Sequence, residues 1–220
     1  MQLVMFDIDG TLTQTDEADS NCYLQALADV FGFADVDADW SRYPQCTDGG
    51  ILAHLFHARL QRPPSAAEIA VFQARFFELL EAAASVQPFH PIAGAREFLA
   101  MLEAKHDCRL ALASGDWERS ARSKLASAGL DCNRFPAAFA DDGHSREEIM
   151  QLSLQRAIDE HEVQSFTRHT YIGDGVWDAR AARKSGFRFI GIANDERKIK
   201  RLKAEGAVAV FPDYLAIRGF

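Results

Sequence analysis

Asp7-Ile8-Asp9-Gly10-Thr11-Leu12 follows a short apolar run, Leu3-Val4-Met5-Phe6. The run has the length and composition of a buried strand. Two carboxylates spaced i, i+2 then stand where that strand ends. On an extended backbone such side chains project to the same side. Like charges held so close are costly unless a cation or a proton lies between them. Mg2+ suits this demand, because it takes hard oxygen ligands and commonly one or two carboxylates together with a phosphate. The plain alternative is a solvated loop carrying two ordinary aspartates.

Working outward, the rest of the chain alternates strand and helix from Pro91 onward. Apolar runs predict strands over 108–113, 137–140, 169–172, 188–192 and 207–211. Helical spacing predicts helices over 93–105, 119–128, 146–161, 176–185 and 196–204. Ala128-Gly129 and Ser185-Gly186 have the form of helix stops. Such alternation implies a doubly wound, mostly parallel sheet in an α/β fold. Ligands in these sheets bind outside the carboxyl ends of the strands. Asp7, Asp9, Ser114 and Asp174 all fall at predicted carboxyl ends, which places them in one site. Residues 15–87 break the alternation. Helices are expected there over 19–31, 50–61 and 65–84, with Phe72, Phe76, Leu79 and Leu80 forming an apolar stripe. The expected division is therefore a core of residues 1–14 and 88–220 with an inserted helical segment of residues 15–87.

Composition removes several classes of function. The chain has 220 residues, 48% of them hydrophobic, enough for a substantial core. A net charge of -8 with no basic stripe argues against a nucleic-acid partner. No apolar run is long enough for a membrane-spanning helix. The N-terminus enters the first strand directly, without a signal peptide, so the expected location is cytoplasmic. Cys22, Cys46, Cys108 and Cys132 form no C-x-x-C pair and are expected as reduced thiols.

The string D-I-D-G-T-L-T resembles the first motif of the haloacid dehalogenase superfamily. Ser114-Gly115-Asp116, after the run 108–113, is similar to the second motif. Gly173-Asp174-Gly175-Val176-Trp177-Asp178 resembles the fourth motif, G-D-x-x-x-D. Between them, Asp141-Asp142-Gly143-His144-Ser145-Arg146-Glu147-Glu148 departs from the pattern, because the family usually has a lysine there. The resemblance implies a Rossmann-like core with a helical cap, of the phosphoglycolate phosphatase-like and beta-phosphoglucomutase-like branch. It implies Asp7 as a nucleophile that forms an aspartyl-phosphate, and Asp9 as general acid and base. It implies Mg2+ as cofactor, held by Asp7, the Asp9 carbonyl and Asp174, with Asp178 supporting the ion's waters or the third-motif cation. Ser114 and Gly115 would hold the phosphoryl group, although Ser114 could equally cap the following helix.

The third-motif cation is expected to be Arg146, which opens a helix and can bind carboxylate or phosphate through a planar fork. Its bland alternative is a surface charge paired with Asp142 or Glu147. Lys124 is the rival, expected on a solvated helix face. Within the cap, Thr47 and Asp48 are candidates for substrate contact, or simply a helix N-cap. His54 and His57 share a helix face but lack a third ligand for zinc. Trp117 and Trp177 either line the cleft or pack. The leading expectation is a Mg2+-dependent phosphatase acting on a small phosphorylated metabolite. A sugar-phosphate mutase of the beta-phosphoglucomutase type is one alternative, and a non-catalytic phosphate-binding protein another. Oligomeric state and substrate are not legible.

Overall fold

The structure is a computed structural model that describes residues 1–218. Its chain order is β1 (Gln2–Phe6), α1 (Asp16–Phe31), α2 (Asp48–Leu60), α3 (Ala66–Val86), α4 (Ala95–Glu103), β2 (Cys108–Ala113), α5 (Glu118–Ser127), β3 (Ala137–Ala138), α6 (Arg146–Glu160), β4 (Arg168–Gly173), α7 (Val176–Lys184), β5 (Arg188–Ile192), α8 (Glu196–Ala204) and β6 (Ala209–Phe211). The six strands form one parallel sheet in the order β3-β2-β1-β4-β5-β6. β1 pairs with β2 and β4 along its two edges, and buried residues pack on both its faces, so its sequence reads as an unbroken apolar run. Leu3 and Met5 pack on one face, and Val4 and Phe6 on the other, as the two-residue repeat of a strand requires.

The strand order reverses beside β1, and the crevice created there is where ligands of open α/β sheets bind. Register brings the pieces level. Phe6 pairs with Leu112 of β2 and with Ile172 of β4. Asp7, Ser114 and Asp174 therefore leave their strands at the same edge.

Strands 108–113 and 188–192 match the expected bounds. The two outer strands are shorter than their apolar runs. After Ala138 the backbone leaves the sheet: the Asp142 carboxylate accepts from Phe139 N at 3.0 Å, and Ala140 N donates to the Asp116 carbonyl at 2.8 Å. Two cap helices begin earlier than expected. α1 gains an acidic first turn of Asp16, Glu17 and Asp19, which suits a helix N-terminus. In α2, Thr47 is the N-cap and accepts from Gly50 N at 3.0 Å.

Helices α1–α3 form the inserted cap. Their core is aromatic: Tyr23 lies 4.9 Å from Phe72 and 5.5 Å from Phe76, ring centre to ring centre. Trp117, from the loop after β2, joins this cluster 5.8 Å from Phe72. The apolar interior thus runs without a break from one sheet face into the cap. The four cysteines are free thiols. Among the described residues no helix is long and apolar enough to cross a membrane.

Phe72 is wholly buried at the centre of this junction. Phe72→Ala should lower stability by about 3–5 kcal/mol. Urea denaturation of the variant and the parent protein measures the difference.

Candidate active site

The ends of β1, β2 and β4, roofed by α1 and α2, enclose a cavity of about 160 Å³. Asp7 sits on its floor at 1% exposure. Its Oδ1 accepts two bonds, from Ser114 Oγ at 2.9 Å and from Arg146 Nη1 at 2.8 Å. Oδ2 is the oxygen that neither group holds. Burial pushes the Asp7 carboxyl up, and the Arg146 guanidinium opposes that shift.

Arg146 is the first residue of α6, directly after a capping box in which Ser145 accepts from Glu148 N and Glu148 accepts from Ser145 N. This fixes the helix start against the sheet edge and aims the guanidinium inward. Nη1 also meets Asp178 at 3.0 Å, while Nε donates to the Cys46 carbonyl of the cap at 2.9 Å. Burial works against the arginine's charge, but Asp7 and Asp178 outweigh it and raise its pKa. The surface pairings open to Arg146 are made by other residues, Arg156 with Asp142 and Lys184 with Glu147. Gly115 allows this packing: a Cβ there would lie 2.7 Å from both Arg146 Nε and the Cys46 carbonyl.

Asp9 and Asp174 complete the acidic floor. Asp174 lies at the end of β4, where its carboxylate meets the Lys198 ammonium. Burial raises its pKa to about 7, with Lys198 pulling the other way. Asp178, in the first turn of α7, bonds Arg146 through Oδ1 and accepts from Gly175 N at 2.9 Å through Oδ2. It reaches the same cluster, yet both its oxygens are engaged. Oxygen atoms of Asp7, Asp174 and Asp178 all lie within 4.8 Å of one another. Hard oxygen donors so close together fit a divalent ion such as Mg2+. Gly10, at φ +63°, supplies the close approach: a Cβ there would press on the carboxylates of Asp174 and Asp16.

Lys124 corrects the expectation of a solvated lysine. It is fully buried, with Nζ 2.5 Å from Asp9 Oδ2, 2.7 Å from Asp19 Oδ1 and 3.0 Å from Asp116 Oδ2. Burial opposes its charge, but Asp116, Asp19, Asp9 and Asp48 together hold the ammonium. Ser120, Ala121, Lys124 and Leu125 form the buried stripe of α5, and that helical spacing was the available signal. Burial followed by Asp116 pushes Asp9 well up, and Asp19 is raised to about 6, chiefly by burial.

In the cap, Thr47 Oγ1 donates to the His144 carbonyl at 3.0 Å besides capping α2. Asp48 is the first residue of α2, not its cap. Its Oδ2 accepts from Trp117 N at 2.9 Å, and its own N–H donates to the Gly115 carbonyl at 2.8 Å. Both residues line the cavity and tie cap to core. Trp177 lines the cavity, whereas Trp117 packs into the cap. His54 stacks edge-on to Tyr43 at 5.3 Å.

A family model of haloacid dehalogenase-like hydrolases matches residues 1–186. The chain belongs to that family. Solved structures repeat this hydrolase fold over nearly its full length. A hydrolase from Pseudomonas syringae is 22% identical, with 98% of this chain and 95% of that one covered and a TM-score of 0.74. CbbY from Rhodobacter sphaeroides, solved with phosphate, is 20% identical, with 99% and 96% covered and a TM-score of 0.72. A Thermotoga maritima protein provisionally described as a beta-phosphoglucomutase is 25% identical, with 96% and 94% covered and a TM-score of 0.63. No curated protein sequence matches the chain.

Removing the guanidinium leaves two buried carboxylates facing each other. Arg146→Ala should therefore cost about 3–5 kcal/mol of stability, measured by denaturant titration. Arg146→Lys should cost less, because it keeps the charge and gives up the Nε bond to the cap.

Proposed function

We propose that this hydrolase is a Mg2+-dependent phosphatase that cleaves a small phosphate monoester through an aspartyl-phosphate on Asp7. The observation that carries this reading is the state of Asp7: buried, with one oxygen fixed by Ser114 and Arg146 and the other left to the cavity. A carboxylate held in this way has one oxygen available for attack on phosphorus. Arg146 supplies the fixed positive charge that a transferring phosphoryl group needs in a water-poor site. On substrate binding, the Ser114 hydroxyl would turn its proton from Asp7 to a phosphoryl oxygen, and the Gly115 N–H would donate to another.

In the first step, Asp7 Oδ2 forms a bond to phosphorus as the ester oxygen departs, and Asp9 gives that oxygen its proton. In the second, Asp9 takes a proton from water as the water oxygen attacks phosphorus. The Asp7–phosphorus bond breaks, and inorganic phosphate leaves. The high pKa of Asp9 suits a group that must hold a proton before it can donate one. Asp7, the Asp9 carbonyl and Asp174 are the residues that would hold Mg2+, with Asp178 behind Arg146. When bound, the ion offsets charge on the phosphoryl oxygens and the nucleophile. Residues 15–87 would act as the cap that excludes water.

Charge on the cavity wall favours a phosphatase over a mutase. Arg146 and Lys198 are the cationic residues lining it, and both are already paired with carboxylates. The wall also carries Asp16, Asp19, Asp48 and Asp116. A sugar bisphosphate would need a second cationic cradle opposite Arg146, and this wall is acidic. The substrate we infer is a metabolite with one phosphate, in a cytoplasmic setting.

A panel of phosphate esters that includes 4-nitrophenyl phosphate, scored by phosphate release with Mg2+, tests the reading. Wild-type protein should release phosphate, EDTA should stop it, and Asp7→Asn should reduce the rate at least a thousandfold while leaving the circular dichroism spectrum unchanged. Near wild-type turnover by Asp7→Asn would overturn the covalent route.

Metal affinity should depend on pH with a defined sign. A ligating carboxylate must lose its proton before binding. Burial pushes the Asp174 carboxyl up to about 7, so it gains a proton as pH falls through that value. Mg2+ affinity measured by calorimetry should therefore weaken as pH falls through 7, and Asp174→Asn should both weaken it and flatten this dependence.

A further inference from the structure

The Lys124 ammonium has three N–H donors and three carboxylate partners, at 2.5, 2.7 and 3.0 Å. The partners come from three parts of the chain. Asp9 follows β1, Asp19 belongs to cap helix α1, and Asp116 follows β2. The ammonium is thus held from three directions, at the point where core and cap meet.

Its grip on Asp9 is matched on the other side. Asp9 Oδ1 accepts from the Thr15 hydroxyl, and that hydroxyl pairs with Thr13 Oγ1 at 2.5 Å. Both oxygens of the Asp9 carboxyl are therefore held, and the plane of the group is set while it still lines the cavity. Proton transfer is sensitive to such placement, because small errors in the position of a reacting group are costly in rate. If Lys124 served the fold alone, an apolar side chain of similar volume would often do as well. Here the buried charge is spent on the carboxyl two residues from Asp7.

We propose that Lys124 is a positioning residue: it fixes the Asp9 carboxyl for proton transfer to the leaving group, and Asp19 makes that hold depend on the seated cap. The inference rests on the role given to Asp9 above. Without the ammonium, Asp9, Asp19 and Asp116 would repel one another, and the Asp9 carboxyl would lose its fixed plane.

The test uses three aryl esters of similar shape: 2,4-dinitrophenyl, 4-nitrophenyl and phenyl phosphate. The first leaves as a stable anion and needs little help from an acid, whereas phenoxide needs a proton. The quantity to compare is kcat/KM, which reports phosphoryl transfer to the enzyme. Lys124→Met should lower it about a hundredfold for phenyl phosphate and less than tenfold for the dinitrophenyl ester. Lys124→Met leaves three buried carboxylates without their cation and could fail to fold. Asp19→Asn keeps the ammonium on Asp9 and Asp116, changes little volume, and should show a smaller loss of the same graded kind. Equal losses on all three esters in a folded variant, judged by near-ultraviolet circular dichroism, would assign Lys124 to the fold alone and overturn the proposal. So would no loss in either variant. Failure of the wild-type protein to cleave any of the three would instead overturn the phosphatase reading itself.

Discussion

The Arg146–Asp7 ion pair is the interaction on which this site depends. A parallel sheet brings the carboxyl ends of its central strands together, and here those ends carry Asp7, Asp9 and Asp174. Crowding acid into a closed space disfavours ionisation, and burial pushes up the carboxyls of Asp7, Asp9 and Asp174. Arg146 opposes that shift at Asp7, which is 1% exposed. It also reaches Asp178 and the Cys46 carbonyl, so one side chain touches two buried carboxylates and the cap. Lysine offers a point charge on a flexible stem and could not present both Nη and Nε in fixed directions. The departure from the usual third-motif residue is in this sense an added contact between core and cap.

Lys198 meets Asp174, and two further cationic centres divide the other acids between them. Arg146 serves Asp7 and Asp178, whereas Lys124 serves Asp9, Asp19 and Asp116. The two carboxylates of the opening motif, two residues apart, thus have different partners from different helices. Their environments differ: one oxygen of Asp7 is left to the cavity, while both oxygens of Asp9 are held. Neither α5 nor α6 could be exchanged without disturbing one of these two carboxylates.

The architecture was legible because its signals are local. A continuous apolar run marks a buried parallel strand, and a D-x-D or G-D after it marks a carboxyl end; Phe6–Asp9 and Ile172–Asp174 show both. The placement of Arg146 followed from its position, opening a helix between the third strand and the fourth motif, and the capping box of Ser145 and Glu148 is what fixes that start. Lys124 was misread because a lysine on a helix is ordinarily solvated. Its burial depends on Asp19, 105 residues earlier, which no local pattern reveals. Lys198 was missed for the same reason, as its partner Asp174 lies on a different element. Thr47 and Asp48 were read as candidates for substrate contact or a helix N-cap, but their bonds to His144, Trp117 and Gly115 are long-range facts of the fold.

Trp117 belongs to the core by sequence and to the cap by packing. Its ring lies among Tyr23, Phe72, Phe76 and Phe77, while its backbone continues directly from Ser114-Gly115-Asp116. A cap lifted from the sheet would have to extract this indole or carry the loop after β2 with it. The two layers therefore share their cooperativity. Excised from the chain, the three cap helices would expose the aromatic surface that Trp117 covers, so the cap is a dependent layer of this protein, not a module that could be moved intact to another sheet.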